Sequence, residues 1–213
     1  GTHGPVTPVA MKLIIGNKAY SSWSLRGWLA CRQSGIAFEE VVVPLYDEDW
    51  DRRREGAEFA PSSGNVPILW DGEAVVWDSL AIIDFLADKV GRDRFWPADD
   101  AARAMARSMA AEMHSSFVAL RRKHSMNIRQ VYPARMLDDD VIVDLKRMME
   151  LWAQARARFG GDGDFLFGQF GAADIMFAPV VTRIVTYQLP VARFAVPYMG
   201  AVLRHPFMQD WIA

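Results

Sequence analysis

Tyr20-Ser21-Ser22-Trp23-Ser24-Leu25-Arg26 sets three hydroxyl side chains between a short apolar strand signal and the start of a helical pattern. A strand-to-helix turn of this kind brings small hydroxyls and the unpaired N–H groups of the first helical turn to one volume. Such a volume favours an anion, and the partial positive charge of the helix end favours a thiolate as readily as a phosphate. A second reading needs no ligand: Ser21, Ser22 or Ser24 caps the helix, as serines at helix starts commonly do. Both readings place the same residues at the same turn.

Other chemistries are excluded by what the chain lacks. It has no GxSxG elbow, no P-loop, no GxGxxG and no HExxH. Its four histidines, His3, His114, His124 and His205, show no pair at metal-ligand spacing, so no metal is expected. A single cysteine, Cys31, removes internal disulfides, CxxC redox pairs and cysteine-built zinc sites, and points to a reducing cytoplasm. Cys31 falls inside the first helix and reads as buried and inert.

The elements that position these residues follow from periodicity. Met11–Gly16 reads as a strand and Ser24–Gln33 as a helix stopped at Gly35. Glu39–Val43 is a β-branched strand ended by Pro44, and Asp47–Glu58 a loop or weak helix. Pro67–Trp70 and Ala74–Trp77 form a hairpin around Asp71-Gly72-Glu73, and Ser79–Val90 a helix ending at Gly91. The order is β-α-β, then β-β-α. The linker is expected in Gly91–Asp100, a composition shift containing Pro97. Beyond it every signal is helical: Ala101–Arg122, Asp138–Phe159, Ala172–Gln188 bent at Pro179, and a short end from Pro197 to His205. The expected fold is an α/β domain over 11–91 followed by an all-α domain over 98–213, with 1–10 as a flexible leader.

Composition agrees with a globular chain. In 213 residues, 51% are hydrophobic and 23% charged, enough to bury a core and too apolar for disorder. The net charge of −2 leaves no basic excess for general nucleic-acid binding. Ile175–Val181 is far too short an apolar run to span a membrane, and Gly1–Ala10 has no basic start or apolar h-region.

Three further features narrow the reading. Gly64-Asn65-Val66-Pro67-Ile68-Leu69 places proline at the start of a strand, Asp78-Ser79 opens the next helix, and an all-α region follows. Together they make nearly all of Met11–Ala213 resemble the cytosolic glutathione S-transferases, with a thioredoxin-like N-terminal domain and a helical C-terminal domain. Ser21-Ser22-Trp23-Ser24-Leu25-Arg26 is similar to the serine-type motif of the zeta and related bacterial classes, where cysteine often stands at the position of Trp23. Glu112–Phe117, Ala119-Leu120-Arg121 and Met126–Arg129 also resemble one bacterial branch of these enzymes.

The resemblance implies glutathione as co-substrate and no metal. It implies Ser21 and Ser22 as the catalytic pair of hydroxyls, with the spacing to Gly35-Ile36 favouring Ser21 over Ser22 as the one aimed at the thiol, and it implies that Trp23 lies in the glutathione site. Val66 would offer its backbone to the cysteinyl part, Pro67 would be cis, and Asp78 and Ser79 would receive the γ-glutamyl end. The family more often has Glu or Gln at the position of Asp78. One of Arg52, Arg53 and Arg54 would reach the glycyl carboxylate. Tyr20, Trp23, Met109, Met113, His114 and Phe117 would line the pocket of a small hydrophobic electrophile. The same resemblance implies a cytoplasmic homodimer acting in detoxification. The activity it implies is transfer or addition to an electrophile; the alternatives are a zeta-like cis–trans isomerase and a glutathione-binding module without turnover. The missing motif cysteine disfavours a thiol-disulfide oxidoreductase.

One motif reads as folding rather than chemistry. In the family Ser or Thr, two residues and then Asp form a capping box; here Gly171-Ala172-Ala173-Asp174 retains only the carboxylate. Asp174→Ala is expected to cost about 0.5–2 kcal/mol, and Gly171→Ser to gain a few tenths.

Overall fold

The computed structural model describes residues 9–213. The expected leader therefore lies, for residues 1–8, outside the described part. Strand β1 (Met11–Ile15) is apolar at nearly every position because it is one of the two inner strands of its sheet. β2 (Phe38–Val42) pairs parallel on one side of it. β3 (Ile68–Asp71) pairs antiparallel on the other side, followed by β4 (Ala74–Trp77), giving the order β2-β1-β3-β4. Gly72 takes φ 59 in the β3–β4 turn, a conformation that glycine adopts without strain. The edge strand β2 exposes Glu39 and Glu40, charges that discourage further strand addition.

Alternation along β1 divides the core. Met11, Leu13 and Ile15 pack with helices α1 (Ser22–Ser34) and α3 (Ser79–Val90), whereas Ile14 faces Trp50 and Phe59 on the other side. Trp50 opens the six-residue helix α2 (Trp50–Glu55), in the stretch expected as a loop or weak helix. α1 ends where Gly35, at φ 73, turns its N–H back to the Arg32 carbonyl. Gly27 in α1 serves a different end. A Cβ there would stand 2.6 Å from Pro67 Cγ, so glycine lets the helix touch the start of β3. The Val66–Pro67 bond is cis.

After a 3-10 turn at Arg92–Arg94 and the buried pair Phe95 and Trp96, the chain is helical. The helices are α4 (Asp100–Ser115), α5 (Val118–Lys123), α6 (Asp139–Phe159), α7 (Ala172–Tyr187), α8 (Ala195–Arg204) and α9 (Pro206–Ile212). α7 is buried at almost every position and packs against α1, α4 and α8, so it joins the sheet-bearing part to the helical part. Pro179 sits inside α7 without ending it. The expected α/β-plus-helical architecture is the one observed.

Two expectations need correction. Ala101–Arg122 is not one helix: Ser116 is extended and Phe117 takes φ 58, which separates α4 from α5. The apolar spacing runs through the break because Phe117 is itself a core anchor, 4% exposed. The chain also continues past His205. Pro206 supplies a first helical residue that needs no N–H partner, and His205 Nδ1 accepts the Phe207 N–H at 3.1 Å to cap α9.

The start of α7 overturns the expected gain from Gly171→Ser. Glycine has no side chain, so only the Asp174 half of the box exists, with the Gly171 N–H donating to Asp174 Oδ2 at 3.0 Å. A Cβ on Gly171 would stand 2.6 Å from the Phe95 carbonyl oxygen, where the Ala172 N–H donates at 2.8 Å. Serine must push that backbone apart. Gly171→Ser should therefore lower stability by about 1–3 kcal/mol, read as a lower urea midpoint at unchanged slope.

Candidate active site

The turn between β1 and α1 is built by Asn17. Its side chain accepts from the Ala19 N–H at 2.8 Å, and its carbonyl accepts from the Tyr20 and Ser21 N–H groups at 3.2 and 2.9 Å. Ser21 is thereby held at the N-cap of α1, but its hydroxyl caps nothing. The capping reading of Ser21 fails on this point. The hydroxyl donates instead to Ser24 Oγ at 2.7 Å. The first N–H groups of α1 have no side-chain partner from Ser21, which leaves the positive helix end available to an anion.

A cleft of about 620 Å³ opens over this turn. Tyr20, Ser21, Ser22 and Trp23 form one wall; Leu45 and Tyr46 form the second; Asn65 and Val66 precede the cis proline on the third. Ser21, Ser22, Trp23, Val66 and Tyr20 thus meet in one place. Pro67 lies beneath them, buried against Gly27. Leu45 and Tyr46 join the cleft without having been singled out in the sequence, and Asn65 joins it from the motif before Pro67. Tyr46, 83% exposed at φ 61, is the one whose exposure marks it.

Asp78 stands beside the cleft rather than in its wall. Its Oδ1 accepts from the Leu80 and Ala81 N–H groups at 2.9 and 3.2 Å, capping α3, while Oδ2 is hydrogen-bonded to His114 Nε2 of α4. The His114 ring lies 5.2 Å from that of Trp23, so the histidine bridges Asp78 to the cleft wall. Asp78 holds φ 82, an uncommon conformation for a residue with a side chain and one that functional sites often retain. Ser79 is buried, its hydroxyl 3.8 Å from Met176 Sδ, so only its backbone remains for a ligand.

The expected electrophile pocket contracts. Met109 and Met113 are 1% and 0% exposed on α4, which packs against α7, and Phe117, in the break before α5, is 4% exposed in the same core cluster. They are core. Tyr20, at 59% exposure, and the half-buried Trp23 and His114 are the candidates that keep an accessible surface. The three consecutive arginines lie on α2 and each has a local partner at the surface: Arg52 pairs with Asp49, Arg53 with the Pro44 carbonyl and Asp47, and Arg54 with the Ser63 carbonyl.

Arg26, the last residue of the serine motif, stands behind the cleft wall rather than in it. It is wholly buried, donates from Nε to the Met176 carbonyl at 2.8 Å, and lies 4.4 Å from the Trp23 ring. Burial, and then the charges of Arg183 and Arg121, hold its guanidinium below the usual arginine range. Arg121 approaches the same indole at 5.7 Å, so Trp23 packs between two cations. Cys31 is buried and its thiol is pushed far up by desolvation, consistent with an inert cysteine. Among the described residues no three His, Cys, Asp or Glu side chains are grouped to hold a metal, and no helix is long and apolar enough to cross a membrane.

Residues 20–89 match the family model for the glutathione S-transferase N-terminal domain, and residues 101–213 that for its C-terminal domain. The chain belongs to the glutathione S-transferase family. The resemblance carried by the serine motif, the Val66-Pro67 step and Asp78-Ser79 therefore holds for family and fold, and with them for a glutathione transferase enzyme. Glutathione S-transferase GstB of Escherichia coli K12 is 27% identical over 157 residues, covering 70% of this chain and 75% of the relative. A zeta-class glutathione S-transferase of Euphorbia esula is 31% identical over 126 residues, covering 56% and 52%. Among solved structures, a glutathione transferase homologue from Burkholderia GL BGR1 with bound glutathione superposes with a TM-score of 0.71 at 20% identity, over 95% of this chain and 96% of that one. A theta-class transferase from Xanthomonas axonopodis pv. citri with glutathione bound gives 0.62 at 22%, over 96% and 98%.

Proposed function

We propose that the cleft over α1 binds glutathione, ionises its thiol beside Ser21 and directs the thiolate at a small electrophile. The observation that carries the reading is the Ser21 hydroxyl: it lines the cleft at a helix N-terminus, faces no capping duty, and has Val66 and the cis Pro67 on the same cleft. A thiol of pKa about 8.5 is mostly protonated at neutral pH. A hydroxyl donor and a helix end both stabilise its anion and raise the ionised fraction. The released proton goes to water. The sulfur then forms a bond to carbon as a leaving group departs with its electron pair, or as a double bond takes up a proton. Serine acts as a donor and forms no covalent intermediate.

Ser22 lies in the same wall, and among the described residues no hydrogen bond fixes its hydroxyl; the tie of Ser21 to the buried Ser24 at 2.7 Å is what supports Ser21 as the preorganised donor. Asp78 is assigned the γ-glutamyl ammonium, the Val66 backbone the cysteinyl amide, and the Ser79 N–H the γ-glutamyl carboxylate. Tyr20, Trp23, His114 and Tyr46 supply the surface for the electrophile. Zeta-like isomerisation, in which the thiolate adds to a double bond and leaves again, is the second reading, favoured by the zeta-class relative. Calorimetric titration with glutathione, then turnover on activated chloronitroarenes and conjugated enones, tests both. Failure to bind glutathione would defeat them together.

Asp78→Asn separates binding from capping. The amide oxygen can still accept from Leu80 and Ala81, but no charge remains for an ammonium. A hydrogen bond to a charged group is worth about 1.5–3 kcal/mol, so KM for glutathione should rise roughly ten- to hundredfold while the unfolding midpoint stays close to wild type. A lowered midpoint with unchanged KM would make Asp78 a cap alone.

The reading extends to a detoxifying homodimer in a reducing cytoplasm. Support comes from the family membership, the single inert cysteine and the general prevalence of two-fold pairs. Light scattering at micromolar concentration should return twice the chain mass; the mass of one chain would remove the dimer.

A further inference from the structure

Ser24 has the hydrogen-bonding arithmetic of a relay. It is wholly buried, and its Oγ accepts twice: from the Ser21 hydroxyl at 2.7 Å and from the Gly16 N–H at 3.0 Å. A serine hydroxyl has two acceptor sites and one proton. Both acceptor sites of Ser24 are used, and its own proton has no acceptor among the described residues. Ser21 is in the opposite condition. Its only proton is committed to Ser24, so it has none free for a thiolate.

Ser21 can serve sulfur only if that proton turns away, and the buried Ser24 oxygen would then lose a donor. The unused proton of Ser24 removes the conflict. If the Ser24 O–H rotates toward Ser21 Oγ, the 2.7 Å bond survives with its direction reversed, and the Ser21 proton is released to the cleft. One hydrogen bond, to sulfur, is gained and none is lost. We propose that Ser24 is a positioning residue for thiolate formation: Gly16 N–H donates to Ser24, Ser24 to Ser21, and Ser21 to the glutathione sulfur. Each hydroxyl keeps its own hydrogen and merely rotates about its C–O bond, so no covalent bond changes. Chains of this kind strengthen the terminal donor, because each bond polarises the next by roughly 10–30%. Gly16 contributes by having no side chain. A Cβ there would stand 2.8 Å from Leu45 Cδ1 and 3.4 Å from Ser21 Oγ, so glycine lets the end of β1 lie beside the pair.

The proposal rests on the reading of Ser21 as thiolate donor, and its test separates the two. The absorbance of enzyme-bound glutathione thiolate is titrated in wild type, Ser21→Ala, Ser24→Ala and the double variant, with glutathione affinity measured alongside. Ser24→Ala should leave about two- to fivefold less thiolate at neutral pH, with affinity for a thiol-free analogue unchanged. In the Ser21→Ala background the second substitution should add nothing. Should Ser24→Ala fail to fold, Ser24→Cys fills the same volume with a weak donor and should shift the titration in the same direction by less. A Ser24→Ala protein with altered stability but wild-type titration overturns the relay and leaves Ser21 standing. So does an undiminished Ser24 effect when Ser21 is absent. A silent Ser21→Ala in a protein that binds glutathione overturns the Ser21 reading itself.

Discussion

Ser21→Ala should cut turnover of glutathione with an activated chloronitroarene by about 10²–10³ while leaving affinity for a thiol-free glutathione analogue within about twofold. The magnitude is that of removing one preorganised donor from a developing or resident anion. The substitution takes away a hydroxyl that contributes nothing to the helix cap, so it should not disturb α1. Its loss leaves the Ser24 oxygen with the Gly16 N–H alone, a modest change in a buried site. The rate of the variant should rise with pH toward the range of an unassisted thiol, near 8.5, because alkali then supplies the ionisation that Ser21 no longer favours. Ser22→Ala should keep most of the activity and a wild-type pH profile. The reverse pattern, with Ser22→Ala impaired and Ser21→Ala normal, would exchange the two assignments.

The parts of this molecule that were legible in the sequence are those decided locally. Ser79–Val90 has a clear apolar period, Asp78 before it and Gly91 after it, and the helix occupies that span. The β3–β4 hairpin is announced by Gly72 in its turn, and the end of α1 by Gly35. What was hidden depends on distant partners. Met109 and Met113 fit a pocket wall and a packed core equally well until α7 is placed against them. Phe117 continues an apolar stripe and is buried in the core, although its backbone leaves the helix at φ 58. Ser24 resembles a capping serine; its meaning comes from Gly16, eight residues earlier, and from the Ser21 proton. His114 could be assigned to the electrophile pocket from its helix position, but its bond to Asp78 requires knowing how α4 crosses the start of α3.

Asp174 shows the same limit in energetic form, and it yields the largest expected effect on stability. From sequence it is half of a capping box on one helix. In the structure it is 1% exposed and gathers donors from three places: the Gly171 N–H at 3.0 Å, the Leu166 N–H at 3.2 Å and the Tyr198 hydroxyl at 2.9 Å. Asp174→Ala strands all three in the core, where each unsatisfied donor costs about 1–3 kcal/mol before relaxation. The expected loss is therefore about 3–5 kcal/mol, above the range for a surface cap. Burial pushes the Asp174 carboxyl up to about 6, against 3.8 for an ordinary aspartate, although its three donors pull the other way. The sign of the linkage follows. Between 3.8 and about 6 the folded chain holds a proton that the unfolded chain has released, so protonation of Asp174 favours folding and its contribution falls as pH rises through 6. Asp174→Ala should thus cost more at pH 5 than at pH 8, by about 1–1.5 kcal/mol. Urea melts of both proteins at the two pH values isolate this group, since every other carboxylate is common to them. Turnover per folded molecule should be nearly unchanged, because Asp174 lies at the start of α7, away from the residues that line the cleft. An Asp174→Ala protein with a wild-type midpoint and no activity would mark this carboxylate as part of the chemistry rather than of the fold.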